Sequence, residues 1–532
     1  MTKLITGNTR REFLTNMGLM AAAFSFGATT LPSISSAKQN KGGTVNIRLS
    51  SDPSSFDPIA NTSSIAIAIL SPCYSSLVSY DQADPSKIVG DLANAWNVSD
   101  DGLTYTFELE PSAKFHDGAP LTAADVKFTF DRVRNPPAGV SSARKNLFRM
   151  VSDIATPDAQ TVVFKLQRPA PVFLATLASA WMVVLPKHLL ESGSLKDQIV
   201  GSGPFKFEQY TRGVSVKLAR NPDYYRAGKP LVDKLAFYIV PEDSTAYATL
   251  LNGQIDIFSE IDGQQAADTK LRYGDKIATL EAPSLSADGI SLNVGRKPFD
   301  DLRVREAISL AIDRRAAIKF AMQGYATEGG FLPPGPWALS PEQLETVSGY
   351  SGNVADNRSA ARNLLKDAGY GTGFEVKILA RKGVSTHEAR AITVKEQLAE
   401  IGIKVTVDLK ESATYFDQIN KHDFDMATTQ IGGLGNDPDL IFGEYHTSEG
   451  STNYAGMKDP VVDALFSRQS VEPDTEKRKE VVDDMNIKAL KNYAFLVFFW
   501  KTDFTSFSKR LHEYYLHSQA DNNRKMDGVW LG

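Results

Sequence analysis

The hydrophobic period changes twice in quick succession in the later half of this chain, and that pattern admits few folds. Phe374, Val376, Ile378 and Ala380 alternate, His387 to Ile401 carries apolar residues at helical spacing, and Ile403, Val405, Val407 and Leu409 alternate again. Strand, helix and strand in that order predict a βαβ unit, with parallel strands and a right-handed crossover. Upstream, Val304, Ala307, Ile308, Ala311 and Ile312 form one stripe, which predicts an amphipathic helix over Arg303 to Met322. After the Lys41-Gly42-Gly43 turn, Val45, Ile47 and Leu49 alternate as a strand that ends at Ser51–Pro58, where two prolines force an irregular loop suited to line a cleft. Further β-rich runs at 103–109, 161–167 and 214–219 are set off by turn signals, so the fold class is α/β.

At 532 residues the chain exceeds what one hydrophobic core usually holds, which predicts two or three lobes. No repeat, low-complexity tract or long linker separates them, so short ordered crossings must join them. Ser291–Val294 and Ala494–Trp500 are strand candidates for those crossings. Lys and Arg total 58 against 63 Asp and Glu, a net charge of −5 that gives no electrostatic reason to expect nucleic acid. Cys73 is the single cysteine, so no intrachain disulfide, CxxC pair or Cys-rich zinc site can form, and the thiol is expected to be buried.

The first residues differ in character. Thr9-Arg10-Arg11-Glu12-Phe13-Leu14 precedes an apolar stretch from Met17 to Ile34, and Ser35-Ser36-Ala37 offers a small-residue cleavage site. The paired arginines resemble a twin-arginine export signal over 1–37. Its removal takes away Lys3, Arg10, Arg11 and Glu12 and moves the net charge from −5 to −7. No cysteine near the cleavage site could carry a lipid, and no later apolar run approaches the ~20 residues of a membrane span. A soluble periplasmic protein is expected.

Catalytic motifs are sparse. His387-Glu388 begins like a zincin helix, but position 391 is Ala, which removes the second ligand. Ser142–Lys145 matches SxxK without an accompanying KTG. There is no GxSxG elbow, Walker loop, EF-hand loop or GxGxxG fingerprint. No catalytic residue, metal or cofactor is predicted. His116-Asp117 and Asp437-Pro438-Asp439 read as turn chemistry. Gly432-Gly433-Leu434-Gly435-Asn436 follows an apolar run, and its backbone N–H groups suit an anion or sugar oxygens, or else form a flexible turn.

Several stretches together resemble one family. They are Gly90–Phe107, Lys114–Phe128 with its Phe-His-Asp-Gly core, Gly201-Ser202-Gly203-Pro204-Phe205-Lys206-Phe207, Arg220-Asn221-Pro222-Asp223-Tyr224-Tyr225 and Pro298–Arg305. In that order they resemble the extracytoplasmic solute-binding proteins of ABC importers, family 5, the dipeptide, oligopeptide, nickel and opine group. The resemblance implies a periplasmic-binding-protein-like fold of two α/β lobes joined by a two-crossing hinge, the first lobe split into two subdomains. Boundaries are expected at 38–85 and 200–295 for the first lobe, 86–199 for its accessory subdomain, 296–498 for the second lobe and 499–532 for the return. It further implies a monomer that captures a small solute and delivers it to permease subunits in the inner membrane. An exported enzyme is the rival from another class, and a sensory protein on the same fold is a third reading.

Within that resemblance Trp96 and His116 are framework residues. Placing loops at the cleft nominates Ser51, Ser54, Trp181, Ser202, Gly203 and Asn293 from the first part of the chain, and Gly432, Gly433, Asn436 and Trp500 from the second. Arg144 and Arg381 are candidate partners for an anion, since a guanidinium matches carboxylate or phosphate in bidentate fashion. In the peptide-binding branch an acidic residue shortly before the Asp-Pro pair holds the peptide's ammonium group. Leu434 stands at the equivalent position, which shifts weight from short peptides toward opines, sugars or sugar-phosphate conjugates.

Overall fold

A computed structural model describes residues 41–532 apart from 54, 62, 85, 86, 141, 193–197, 260, 434 and 517–524. The expected export signal, Ser54 and Leu434 therefore lie outside the described residues. One large sheet runs through the molecule, and two long strands at its centre belong to both ends of it. These are Ile277–Leu292 and Phe495–Ser508, paired antiparallel. Outward from the first lie Met426–Gly432, Phe374–Arg381 and Ile403–Lys410. Outward from the second lie Ile257–Ser259, Thr44–Leu49, Lys234–Ile239, Ser215–Arg220 and Phe205–Thr211.

The expected βαβ unit is present. Phe374–Arg381 and Ile403–Lys410 pair in parallel, with helix Ser385–Ala399 between them burying Ala391, Val394 and Leu398 completely. The single helix expected over 303–322 is two helices, Leu302–Ala311 and Arg314–Met322. Ile312 is extended, and the Asp313 carboxylate caps the second helix by accepting from the Ala316 N–H, so a new start intervenes where the apolar stripe runs on.

Among the described residues burial forms two large cores and two smaller clusters beside them. One large core gathers residues from Val45 to Ile257 together with Phe507, Leu511, Met526 and Val529, and the other runs from Ala287 to Trp500. The first includes an accessory four-stranded antiparallel sheet, ordered Ala93–Val98, Thr104–Leu109, Thr161–Leu166 and Val151–Ala155. Phe107, Phe130, Phe148, Phe164 and Phe173 fill it, meeting mostly edge to face. The C-terminal segment returns to the first lobe, where Lys525 and Arg226 both bond the buried Asp91 carboxylate. Burial opposes the Asp91 charge, but the two cations outweigh burial and hold the carboxyl below its usual range. Cys73 is buried, and burial raises its thiol pKa.

In the ladder between the two long strands, Pro283 faces Thr502 and Ala287 faces Trp500, so residues 284–286 bulge opposite 501. Before the bulge Ala278, Leu280 and Phe507 pack with the first core and Ile277 and Phe504 with a smaller neighbouring cluster, whereas Ala287, Ile290, Val497 and Trp500 after it lie in the second core. The passage between lobes thus falls earlier on its strand than the sequence placed it at Ser291–Val294. Among the described residues no helix is long and apolar enough to cross a membrane.

His446 packs among the second core's aromatic rings, stacked 3.8 Å from Phe331 with Phe442 and Phe495 at its edges. Burial pushes its pKa down to about 3. A histidine depressed in the folded state favours the neutral form, so stability that is full above pH 6.5 is lost as pH falls from 6.5 toward 3. Between pH 7 and pH 5 His446 alone should cost about 2 kcal/mol. Urea denaturation at both pH values checks this, and His446→Phe should flatten the difference by that amount.

Candidate ligand cleft at the interlobe crossing

The strand directions locate the site. In the second lobe Gly432 pairs with Ser286 and Met426 with Leu292, so Met426–Gly432 runs toward the bulge, as do its parallel neighbours ending at Arg381 and Lys410. In the first lobe Ile257 pairs with Phe507 and Ser259 with Thr505, so that strand and its parallel neighbours ending at Leu49 and Ile239 also run toward the crossing. The carboxyl ends of both parallel sets converge on one place, which is where ligands bind in open α/β sheets.

Just past the bulge, the floor is set by a buried ion pair. Arg390 lies 2.6 Å from Asp288, both side chains at most 2% exposed, and donates to the carbonyls of Gly289 and Thr429. Gln430 bonds the same carboxylate, and Lys501 approaches it from the second long strand at 3.6 Å. Gly289 is required here, because a Cβ would stand 2.3 Å from the Leu496 carbonyl oxygen. Behind this floor His387 bonds Thr428, and burial, aided by Arg390 and Arg381, pushes its pKa down to about 4.

Arg381 ends its strand at the mouth of this site. Its guanidinium bonds the Ser412 hydroxyl at 3.1 and 3.3 Å and lies over the Phe416 ring. Its cationic neighbours are neutralised, Lys382 by Glu411 and Lys410 by Asp408. Among the described residues Arg381 has no carboxylate within ion-pairing distance, so it remains a cation able to accept an anionic group. Ser51, exposed, opens the facing loop from the first lobe, beside Asp52, which is held by the Gly213 N–H and the Tyr210 hydroxyl.

Other nominated residues are committed elsewhere. Arg144 and Trp181 come together, the guanidinium 3.8 Å from the ring, but Arg144 is buried and donates to the Pro58 and Asn61 carbonyls, which fastens the loop from beneath. Asn293 donates to His422 and Phe424 at the far end of the first long strand, on the second-lobe side. The Trp500 indole is 0% exposed with its N–H on the Gly330 carbonyl, so no ring face is open for stacking. Ser202 is buried, and Gly203 fits where a Cβ would strike the Pro72 carbonyl oxygen at 2.5 Å. The Gly433 N–H is spent on the Leu285 carbonyl, and Gly432 sits in the ladder with Ser286. Asn436 lies against Gly335, its carboxamide oxygen buried and without a hydrogen bond among the described residues. His116 is a local clamp, bonding Gly201 and Gly203.

The sequence did not single out Asp288, Arg390 or Lys501. The available signal was two polar residues, His387 and Arg390, on the face of a helix that should be apolar. Two cavities lie apart from these residues. One of about 720 Å³ is lined only by first-lobe residues, between Tyr74–Gln82, Arg226–Lys229 and the C-terminal segment. The other, about 550 Å³, lies between the accessory subdomain and residues 439–470 of the second lobe.

Residues 87–453 match the middle region of the bacterial extracellular solute-binding proteins, family 5. The glutathione-binding protein GsiB of Pectobacterium atrosepticum is 33% identical over 372 residues, 68% of each chain. Its counterpart in Escherichia coli K12 is 29% identical over 84% of this chain and 83% of its own. Among solved structures, the periplasmic binding protein AgaA of A. tumefaciens R10, in complex with agropinic acid, has a TM-score of 0.77 and 28% identity, covering 92% of this chain and 99% of its own. DppA of Helicobacter pylori, with the peptide STSA, has a TM-score of 0.78 at 23% identity over 92% of this chain and 98% of its own, a likeness of fold.

The Arg390–Asp288 pair yields a test. Arg390→Met should cost about 3 kcal/mol or more, because it leaves a buried carboxylate short of its cation. Adding Asp288→Asn should recover part of the loss. Chemical denaturation of the three proteins gives both numbers.

Proposed function

Because the chain belongs to the bacterial extracellular solute-binding proteins of family 5, which bind small solutes and work with ABC importers, we propose that its solute carries a carboxylate or phosphate held by Arg381. The carrying observation is that guanidinium, bonded among the described residues to a hydroxyl and an aromatic face where the strand ends converge. Among the described residues no carboxylate pairs with it, so a ligand's anion can serve as its countercharge. Glutathione and agropinic acid, named for relatives of this chain, are both acids, which supports an acidic conjugate over a neutral sugar. Leu434 supports the same direction, since at that position it offers no anion to a peptide ammonium group.

In this reading the solute bridges the loop at Ser51 and the second-lobe edge at Arg381, and its contacts with both lobes favour the closed state. The two lobes divide at the bulge near Pro283–Ala287 and at Trp500–Thr502. The protein works as a monomer without catalysis, exported by its twin-arginine-type leader to the periplasm, and hands its solute to an inner-membrane permease. Family membership and the Arg10-Arg11 motif support the route.

Calorimetry with glutathione, agropinic acid and an unmodified tripeptide tests the ligand class. At least one of the two acids should bind at ~1 µM or tighter and outbind the tripeptide. Arg381→Ala should weaken that binding about 10- to 100-fold, the worth of a charge-assisted hydrogen bond to a buried anion. Tight binding of neutral sugars alone, indifferent to Arg381, would refute the reading.

A further inference from the structure

The cavity that spans the lobes is asymmetric in charge. Its first-lobe wall carries Arg149 and Arg168, both exposed, neither hydrogen-bonded through its guanidinium nor ion-paired to another described residue. Its second-lobe wall carries Asp439 and Glu444 from helix Asp439–Tyr445, with Glu449 and Asp463 beside them. The two walls belong to different cores, so any movement of one lobe against the other changes their separation.

Asp439 is part of a cluster whose charges do not balance. Arg478 grips Asp437 with two bonds of 2.7 and 2.8 Å and reaches Asp439 with a third of 3.0 Å, while the Ser470 hydroxyl also donates to Asp439. The Arg478 guanidinium lies over the Trp337 ring. One cation against two carboxylates leaves an excess negative charge beside the cavity. Burial, then the charge of Asp437, pushes the Asp439 carboxyl up to about 6, and Arg168 pulls it down from the opposite wall.

We infer that Arg168 is a positioning residue for lobe closure, supplying from the first lobe the countercharge that the Asp437–Arg478–Asp439 cluster lacks in the second. The inference rests on the solute-capture reading for its purpose, since closure is what traps a solute. Its mechanism does not depend on what the solute is. As the walls approach, water leaves the cavity, the effective dielectric falls, and the attraction between Arg168 and the cluster strengthens. The interaction is absent when the lobes are apart, so all of it biases the closed state. High salt screens it, and protonation of Asp439 removes the charge that Arg168 answers.

The test uses the mature full-length chain without any solute, so its outcome is independent of whether Arg381 takes an anion. Fluorophores on Ala159→Cys and Lys477→Cys, both at exposed positions, report the interlobe distance, and buried Cys73 stays unlabelled. At 20 mM NaCl and pH 7.5, single-molecule transfer should show the ratio of closed to open molecules falling about fivefold in Arg168→Ala, the scale of one partly screened ion pair. Arg168→Lys should restore part of the loss. At 500 mM NaCl the difference should shrink below about twofold. Lowering the pH to 5 should shift the unmodified protein toward open and leave Arg168→Ala unmoved, and Asp439→Asn added to Arg168→Ala should cause no further change. Coincident distance distributions for the unmodified protein and Arg168→Ala at low salt, or additive effects of the two substitutions, would overturn the inference. Should Asp439→Asn fail to fold, the salt, pH and lysine arms decide it alone.

Discussion

Two antiparallel strands shared by both lobes are the constraint on which the rest of this molecule depends. A continuous ladder between Ile277–Leu292 and Phe495–Ser508 would weld the lobes into one body. Pro283 has no N–H to give, and after it residues 284–286 leave the ladder. The bulged backbone is not left unbonded, since Ser286 pairs with Gly432 and the Leu285 carbonyl accepts from Gly433. The crossing therefore bends where its hydrogen bonds have been handed to the second lobe. The carboxyl ends of two parallel strand sets meet at the same place, so the proposed hinge and the proposed ligand site share one location.

Arginine recurs among the buried polar side chains. Arg48, Arg144, Arg305, Arg314, Arg390 and Arg478 are all at most 6% exposed. Arg305 satisfies the carbonyls of Asn492 and Phe299, and Arg314 those of Val497 and Gly349 while lying over Tyr350. A guanidinium has five donors and an apolar face, so it can collect carbonyls from chain segments that no ladder reaches. Where such a group bonds carbonyls it holds the scaffold together. Arg381, which bonds none in the described structure, is set apart by that difference.

The regular elements were legible because periodicity is local. The strand from Val45, the runs at 103–109 and 161–167 and the βαβ unit after Phe374 all stand where their patterns put them, within a residue or two. Periodicity misled at Ile312, where an apolar residue continues the stripe while the backbone turns extended ahead of the Asp313 cap. At the cleft, residue type was a poor guide. Trp181, Trp500, Arg144 and Asn293 have side chains a ligand would favour, but a fold needs the same chemistry to fasten its own loops, and only the distant partner reveals which use prevails. Asp288 and Arg390 pair across a long stretch of sequence and left no local pattern beyond a charge on an otherwise apolar helix face.

The return of the C-terminal segment to the first lobe orders the history of the molecule as well as its shape. The first lobe begins at Thr44, yet its central sheet lacks the neighbour of Ile257–Ser259 until Thr505–Phe507 is made, and Asp91 lacks one of its two cations until Lys525 is made. A ribosome therefore releases nearly the whole polypeptide before the first lobe can close its core, while the second lobe, held between, has all its residues earlier. A chain that stopped before Thr505 would lack both that strand pairing and the Lys525–Asp91 contact in the lobe synthesised first.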